Sequence, residues 1–418
     1  MLESPPPRGG QYSVSVISLS LKLVLRAGSS LRGAAASMML IVQEQFAAFA
    51  VPSFSAIRSW LLRVGLYALT KPLQRCPRGW VWLADHTIQI GTLKILVILG
   101  CLLDQVPFGE RALQLADLQL VALVPMEQST GDAVNRELDR AVERTGAPAQ
   151  IVADQGADLK KGITDFCNWE MRTAYVPDVA HYGASLLERS WSDQARWREF
   201  YSQLQSTSGK LRQTKAAYLL APRPRSKARF MNVGVQLRFA RRVLKLLTRP
   251  VPHEKAMAYY GWLLDYQADL AVWQREHSLV QTTIELLRVH GLHAASLAEL
   301  EKTWGPTNGP DSTQEIAQGL RTYVTRHKPT DETKRFVASS EVLESAFGKL
   351  KRLERDQSGD GLTGLVLALG AMMGTLSEEE IRQALEATPE KKAKNWVRNM
   401  LGPTMQWLRR QFFRETDA

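Results

Sequence analysis

Three apolar runs of strand length follow one another closely and limit the possible folds more than any other feature. They cover residues 80–90, 92–103 and 118–126 and are rich in Val, Ile, Leu and Trp. After these runs in the sequence, helices and short strands alternate. The predicted helices are 130–145, 161–170 and 182–191, and the predicted strands are 150–153 and 173–176. This order predicts an α/β fold with a mixed five-stranded sheet and helices on its faces.

Charge and cysteine content narrow the class of protein. The 418 residues carry a net charge of +11, which favours a polyanionic partner, either nucleic acid or an anionic membrane surface. The most apolar run, 95–103, is too short to span a bilayer. The three cysteines form no CxxC pair and are odd in number, which argues against a disulfide framework or a structural zinc site and favours the cytoplasm.

A helical pattern precedes the strands, over residues 13–67. Three helices with a short turn before the last are compatible with a helix-turn-helix module, in which Ser53, Ser55 and Arg58 would lie near the leading end of the helix that reads DNA. A small helical bundle that packs on the next domain fits the same spacing, so both interpretations stand.

A long helical stretch follows the strands and contains a basic segment. Every charged side chain of residues 209–249 is Lys or Arg, and aromatic positions lie between them. We predict contacts with a phosphate backbone, with Arg241, Arg242 and Lys245 among the contacting residues. An ordinary solvated face is the alternative.

Two aspartates stand at the ends of apolar runs. Asp85 follows residues 80–84, and Asp154 follows residues 151–153 and precedes Gly156. An unpaired carboxylate within a sheet is costly unless a cation or donors meet it. If the two strands are neighbours, their aspartates form a hard oxygen site suited to Mg²⁺ or Mn²⁺. Strand-end or turn aspartates are the alternative, with an Asx turn before Gly156.

A late predicted helix, residues 339–353, offers a third acid, either Glu341 or Glu344. Glu344 and Lys351 are two turns apart, so they project the same way about 10 Å from each other. Gly348 lies between them and costs about 1 kcal/mol of helix stability against alanine. It suits a position where backbone or DNA approaches closely. An amphipathic helix with surface ion pairs is the alternative.

Together these residues resemble the DDE transposases of bacterial insertion sequences, whose catalytic domain has the ribonuclease H-like fold. In that family the first acid lies on strand one, the second just after strand four and the third on a late helix. One large group carries Tyr, two residues, Arg, three residues, Glu, six residues and Lys on that helix. Glu344 and Lys351 match the Glu-to-Lys half, which selects Glu344 over Glu341, whereas Val337 and Ser340 occupy the Tyr and Arg places.

The resemblance implies DNA cleavage and strand transfer. Two Mg²⁺ ions, replaceable by Mn²⁺, would be held by Asp85, Asp154 and Glu344. Phosphates of the element end would be held by Lys349, Lys351 and Arg352. The partners implied are double-stranded DNA (element ends and target) and further copies of the chain on that DNA, without a membrane, in a bacterial cytoplasm at the nucleoid.

The resemblance also implies a domain layout. It comprises a disordered tail (1–12), an N-terminal helical DNA-binding domain (13–72), a first part of the catalytic core (78–190), a basic helical insertion (191–334), the last core helices (335–375) and a basic helical tail (376–418). Three other functions compete: a ribonuclease H-like nuclease or resolvase, a catalytically inactive domesticated DNA-binding protein, and a non-enzymatic helical regulator. The last requires the strand prediction to be wrong.

Overall fold

The computed structural model describes residues 4–45, 50–90, 93–223, 229–307, 309–355, 363–403 and 405–416. The chain forms two compact units. The sheet unit comprises Met1–Pro107, Leu113–Tyr175 and Ser340–Ala418, and the helical unit comprises Phe108–Ala112 and Val176–Ser339. No helix in the described part of the chain is both long and apolar enough to cross a membrane.

A mixed five-stranded sheet is the centre of the sheet unit. Its strands are β1 (Trp80–Ile90), β2 (Leu93–Leu102), β3 (Gln119–Met126), β4 (Gln150–Ala153) and β5 (Ala174–Pro177). They lie in the order β3-β2-β1-β4-β5. β2 is antiparallel to both β1 and β3, and β4 is parallel to β1. This is the ribonuclease H-like order, so the predicted fold class is confirmed, and the purely helical alternative is wrong.

Helices make up most of the remaining described chain. Their bounds are α1 (Val14–Leu25), α2 (Leu31–Gln45), α3 (Phe54–Thr70), α4 (Gly131–Thr145), α5 (Ala157–Trp169), α6 (Val179–Trp191), α7 (Ala195–Leu211), α8 (Val233–Leu247), α9 (Glu254–Tyr260), α10 (Gln267–His290), α11 (Ser296–Trp304), α12 (Asp311–His327), α13 (Glu341–Arg355), α14 (Ala368–Met372), α15 (Glu378–Ala387), α16 (Glu390–Leu401) and α17 (Met405–Thr416).

The two faces of the sheet are covered by different helices. Trp80, Trp82 and Ala84 of β1 are fully buried with the apolar side chains of α4 and α5, including Phe166. Because side chains alternate along a strand, the intervening residues of β1 point to the other face. There α13 contacts β1, and α3, α14 and α16 contact β3.

Helices from the two ends of the chain pack together within the sheet unit. An added methyl on Gly65 of α3 would lie 2.6 Å from the carbonyl carbon of Leu367, and one on Gly370 would lie 2.5 Å from the carbonyl oxygen of Gly65. The backbones are therefore in direct contact. Arg63 of α3 donates to carbonyl oxygens of Leu385 (2.5 Å) and Thr388 (2.7 Å) at the end of α15. The first helices are therefore packed against the last ones.

The helical unit has its own core, rich in aromatic side chains. Trp197 packs between Trp191 and Trp273, with ring centroids 4.7 and 4.8 Å away. The fully buried carboxylate of Glu276 accepts hydrogen bonds from Trp191 Nε1 (2.6 Å) and from the hydroxyls of Ser312 (2.5 Å) and Thr313 (3.0 Å). Three donors offset the cost of burying this carboxylate.

Candidate active site

Asp85 and Asp154 directly follow paired residues of two neighbouring parallel strands. The β1–β4 ladder ends with Ala84 opposite Ala153, and the aspartates are the next residues of each chain segment. Neighbouring strands lie about 4.8 Å apart. Because Ala84 faces α4 and α5 and side chains alternate along a strand, Asp85 of β1 points to the opposite face, where α13 contacts β1. Asp154 lies just beyond the end of β4.

Hydrogen bonds fix the orientation of Asp154. Its Oδ1 accepts from the amide of Gly156 at 3.0 Å, and its carbonyl oxygen accepts from the Tyr175 hydroxyl at 2.7 Å. The Asx turn offered above as the alternative is therefore present. It does not exhaust the carboxylate, which has about four lone-pair sites. Asp85 Oδ1 accepts from the amide of His86 at 2.6 Å.

The α13 helix has one buried side and one open side. Its buried side chains are Leu343, Ala346, Phe347, Leu350 and Leu353. Glu344, Gly348 and Lys351 are exposed, and a methyl added to Gly348 would have no atom from another part of the described chain within 4 Å. Glu344, Gly348 and Lys351 therefore form an open stripe along α13, as both the predicted DNA contact and an ordinary amphipathic helix would give.

Lys349 and Arg352, on the flank of α13, are half-buried. The guanidinium of Arg352 lies against Gly28, where an added methyl would be 2.5 Å from Nη1. Arg352 is thus directed towards the segment between α1 and α2.

The donor set around the aspartates suits a hard cation. Mg²⁺ is often held by one or two carboxylates, with substrate phosphates and water completing its shell, and the two aspartates meet that requirement. Among the described residues, no group of three or more His, Cys, Asp or Glu could hold a metal ion. The roles of Asp85, Asp154 and Glu344 as metal ligands therefore stay predictions.

A polar network lies on the reverse face of the sheet, the face that α4 and α5 cover, opposite to Asp85. Lys94 Nζ donates to Asp158 Oδ2 at 2.8 Å, His86 Nδ1 lies 3.8 Å from the same oxygen, and His86 Nε2 is 3.0 Å from Ser129 Oγ. Ser129, His86 and Asp158 do not form a catalytic triad, because the 3.8 Å between His86 Nδ1 and Asp158 Oδ2 is too long for a hydrogen bond.

The electrostatics of this network are strong. Burial raises the pKa of Asp158, but Lys94, Ser129, His86 and the Leu159 amide together lower that pKa to about 2. Burial lowers the pKa of His86, with a smaller opposing effect of Asp158. The sequence did not reveal this network, because α5 was predicted to begin at residue 161. It begins at Ala157, since the Asx turn reverses the chain within two residues of Asp154.

The N-terminal residues predicted to read DNA lie in the first turns of α3. Ser53 caps the helix by accepting from the amide of Ala56 at 3.2 Å. Ser55 is exposed, whereas Arg58 is half-buried and its pKa is lowered by burial. From Ile57 onward most positions of α3 are buried. The start of the helix is open, and its contact with DNA stays a prediction.

The predicted basic segment lies in the helical unit, and its residues 224–228 fall outside the described parts. On α8, Arg241, Arg242 and Lys245 are exposed, together with Arg238. The opposite side of α8 is buried through Val233, Leu237, Ala240, Val243 and Leu247. The spacing places the four cations on one solvent-facing stripe.

Comparison with known proteins gives little further information. No protein-family model matches the chain, and no curated protein matches it. Among solved structures, the chain is similar to the Drosophila P element transposase strand transfer complex, with a TM-score of 0.41, 12% sequence identity and 93% of each chain covered. A likeness at this level is too distant to support an assignment of function.

Proposed function

We propose that this chain is a DNA transposase of the DDE type, which cleaves the ends of a mobile element and joins them to target DNA. One observation carries the proposal. In a sheet of ribonuclease H-like order, Asp85 and Asp154 directly follow Ala84 and Ala153, which are paired on neighbouring parallel strands, and α13 contacts β1. We infer that these two carboxylates would hold divalent metal, with Glu344 of α13 as a further ligand.

When bound, Mg²⁺ supplies activation of an attacking water or 3′-hydroxyl and stabilisation of the leaving oxygen. The chain's own residues hold and orient the ligands. The Gly156 amide and the Tyr175 hydroxyl fix Asp154, and the His86 amide fixes Asp85. No covalent nucleophile from the protein is required for this chemistry.

The open stripe of α13 suits an approaching DNA backbone. Lys351 supplies a cation to a phosphate, and Gly348 leaves the space that a side chain would fill. The exposed cations of α8 would contact phosphates elsewhere along the duplex. Such contacts orient the protein on the DNA and do not read its base sequence. We expect more than one copy of the chain to assemble on the element ends.

The proposal is tested on a plasmid that carries the coding sequence with its natural flanking DNA. With Mg²⁺, the wild-type protein should release a fragment with 3′-hydroxyl ends and join it to a second plasmid. Asp85→Asn, Asp154→Asn and Glu344→Gln should each lose cleavage while binding the same DNA. Cleavage without joining would instead identify a nuclease or resolvase, and cleavage retained by the variants would overturn the assigned roles.

The α8 contact is tested by the salt dependence of DNA binding. Replacing Arg241, Arg242 and Lys245 by Gln together should reduce the slope of log K against log salt by about 3, because each phosphate contact contributes about 0.9. Arg198→Gln is the matched control, since Arg198 is already paired with Asp193 at 2.5 Å. An unchanged slope in the triple variant would exclude α8 from the interface.

A further inference from the structure

We propose that Lys94 and Asp158 are positioning residues, which hold the segment of Asp154 from the reverse face of the sheet. This inference rests on the proposed function, because it concerns the ligand geometry of the same site. Neither residue touches the substrate in this account. Both act through Asp154.

The covalent link between Asp154 and Asp158 is short. Gln155 and Gly156 separate Asp154 from α5, and Asp158 is the second residue of that helix. A displacement of the start of α5 therefore moves the Asx turn and the carboxylate within it. Whatever fixes Asp158 also limits the positions of Asp154.

Asp158 is tied to three other segments of the sheet unit. Lys94 belongs to β2, where it lies opposite Met126 of β3. His86 belongs to β1, directly after Asp85, and Ser129 lies between β3 and α4. Both aspartates of the candidate site are thus one or a few residues from the same network. Tyr175 holds the Asp154 carbonyl from β5.

The Lys94–Asp158 pair is more sheltered than an ordinary surface ion pair. The two side chains are 29% and 17% exposed, so water screens their attraction less than at the open surface. Removing Lys94 would leave a partly buried carboxylate without its closest cation. Such a carboxylate tends to move towards solvent, which would carry the start of α5 with it.

The same helix offers a matched control. Lys161 of α5 forms ion pairs with Asp132 of α4 at 2.8 Å and with Asp165 at 2.6 Å, but its side chain is 58% exposed. Lys161 lies one turn further from Asp154. A variant of Lys161 removes ion pairs from α5 without touching the network behind the aspartates.

The experiment compares Lys94→Met, Lys94→Arg, Asp158→Asn and Lys161→Met in the full chain. Hydrogen exchange of peptides covering residues 153–160 reports the positioning directly. Protection there should fall in Lys94→Met and Asp158→Asn, recover in Lys94→Arg and stay unchanged in Lys161→Met. Mn²⁺ binding, followed by electron paramagnetic resonance, should weaken about tenfold in the first two variants, as expected for residues that orient metal ligands.

The outcomes separate the inference from the proposed function. Unchanged exchange at 153–160 in Lys94→Met, or a loss equal to that in Lys161→Met, would overturn the positioning role whatever the metal result. Equal Mn²⁺ affinity of Lys94→Met and wild type would overturn it as well. If the wild-type protein binds no Mn²⁺, the metal site of the proposed function fails, and the exchange measurement alone decides the positioning role.

Discussion

Replacing a helical glycine by alanine should have opposite effects at two positions. Gly65 of α3 is in backbone contact with the segment before α14, whereas Gly348 of α13 is exposed. In Gly65→Ala, the added methyl would lie 2.6 Å from the carbonyl carbon of Leu367. Carbon atoms pack best at about 3.5–4.0 Å, and the carbonyl oxygen of Leu367 lies closer still to the added methyl, so the two backbones would have to separate by more than about 1 Å. In Gly348→Ala, the methyl meets no atom of the other described segments within 4 Å. Only the helix preference for alanine then remains.

The magnitudes follow from these two environments. Overpacking costs about 1–3 kcal/mol, and backbone atoms cannot rotate away, so the upper end applies to Gly65→Ala. Alanine regains about 1 kcal/mol of helix propensity, which leaves a net loss of about 2 kcal/mol. Gly348→Ala should gain about 0.5–1 kcal/mol. At about 2–4 °C per kcal/mol, the melting temperature should fall by about 4–8 °C in the first variant and rise slightly in the second.

The assay is thermal unfolding followed by circular dichroism, with hydrogen exchange of α3 peptides to locate the change. Two units can unfold separately, so the exchange data identify which transition belongs to the sheet unit. A Gly65→Ala variant as stable as wild type, with α3 protection intact, would refute the described contact between the backbones.

Three further predictions concern single buried groups. Arg63→Met removes two charge-assisted hydrogen bonds to the end of α15 and should cost about 2 kcal/mol, measured as a lower urea midpoint. Glu276→Gln turns an amide donor towards hydrogen-bond donors and should cost about 2 kcal/mol, seen as earlier loss of the near-ultraviolet tryptophan signal. Burial raises the pKa of Glu354 from 4.5 to about 7, although a hydrogen bond from the Thr363 amide lowers that pKa. The folded protein therefore favours the protonated carboxyl. The stability that this side chain contributes is full below pH 4.5 and is lost as the pH rises through 7. Glu354→Gln should therefore match wild type at pH 4 and exceed it by about 1 kcal/mol at pH 8, a figure reduced for its partial exposure; equal urea midpoints at both values would contradict the burial of this carboxyl.

The sheet could be predicted because each strand carries its own signal. The run at residues 80–90 is apolar and bounded by turn residues, and β1 has the same bounds in the structure. The neighbourhood of Asp85 and Asp154 followed from the strand order, since a parallel pair aligns its carboxyl ends. The prediction that the two aspartates lie close together thus depended on local patterns and on one rule of topology.

Other features have no local signal. Lys94 and Asp158 are 64 residues apart, and nothing in either segment marks the other as its partner. In the sequence, Gly65 and Gly370 are each a residue with low helix propensity. The close approach of their backbones explains why glycine is needed there. The spacing of the N-terminal helices is compatible with a helix-turn-helix module or with a small packed bundle, and it does not reveal their contacts with helices at the far end of the chain.

The proposed meeting of three acids at one metal site is tested most directly by loading the DNA-bound protein with Fe²⁺ in place of Mg²⁺. With ascorbate and peroxide, bound Fe²⁺ generates radicals that cut the polypeptide close to the ion. We expect cuts around Asp85, Asp154 and Glu344, all suppressed by excess Mg²⁺ and absent in Asp85→Asn. Cuts around the two aspartates without any near Glu344 would contradict the convergence of α13 on the metal.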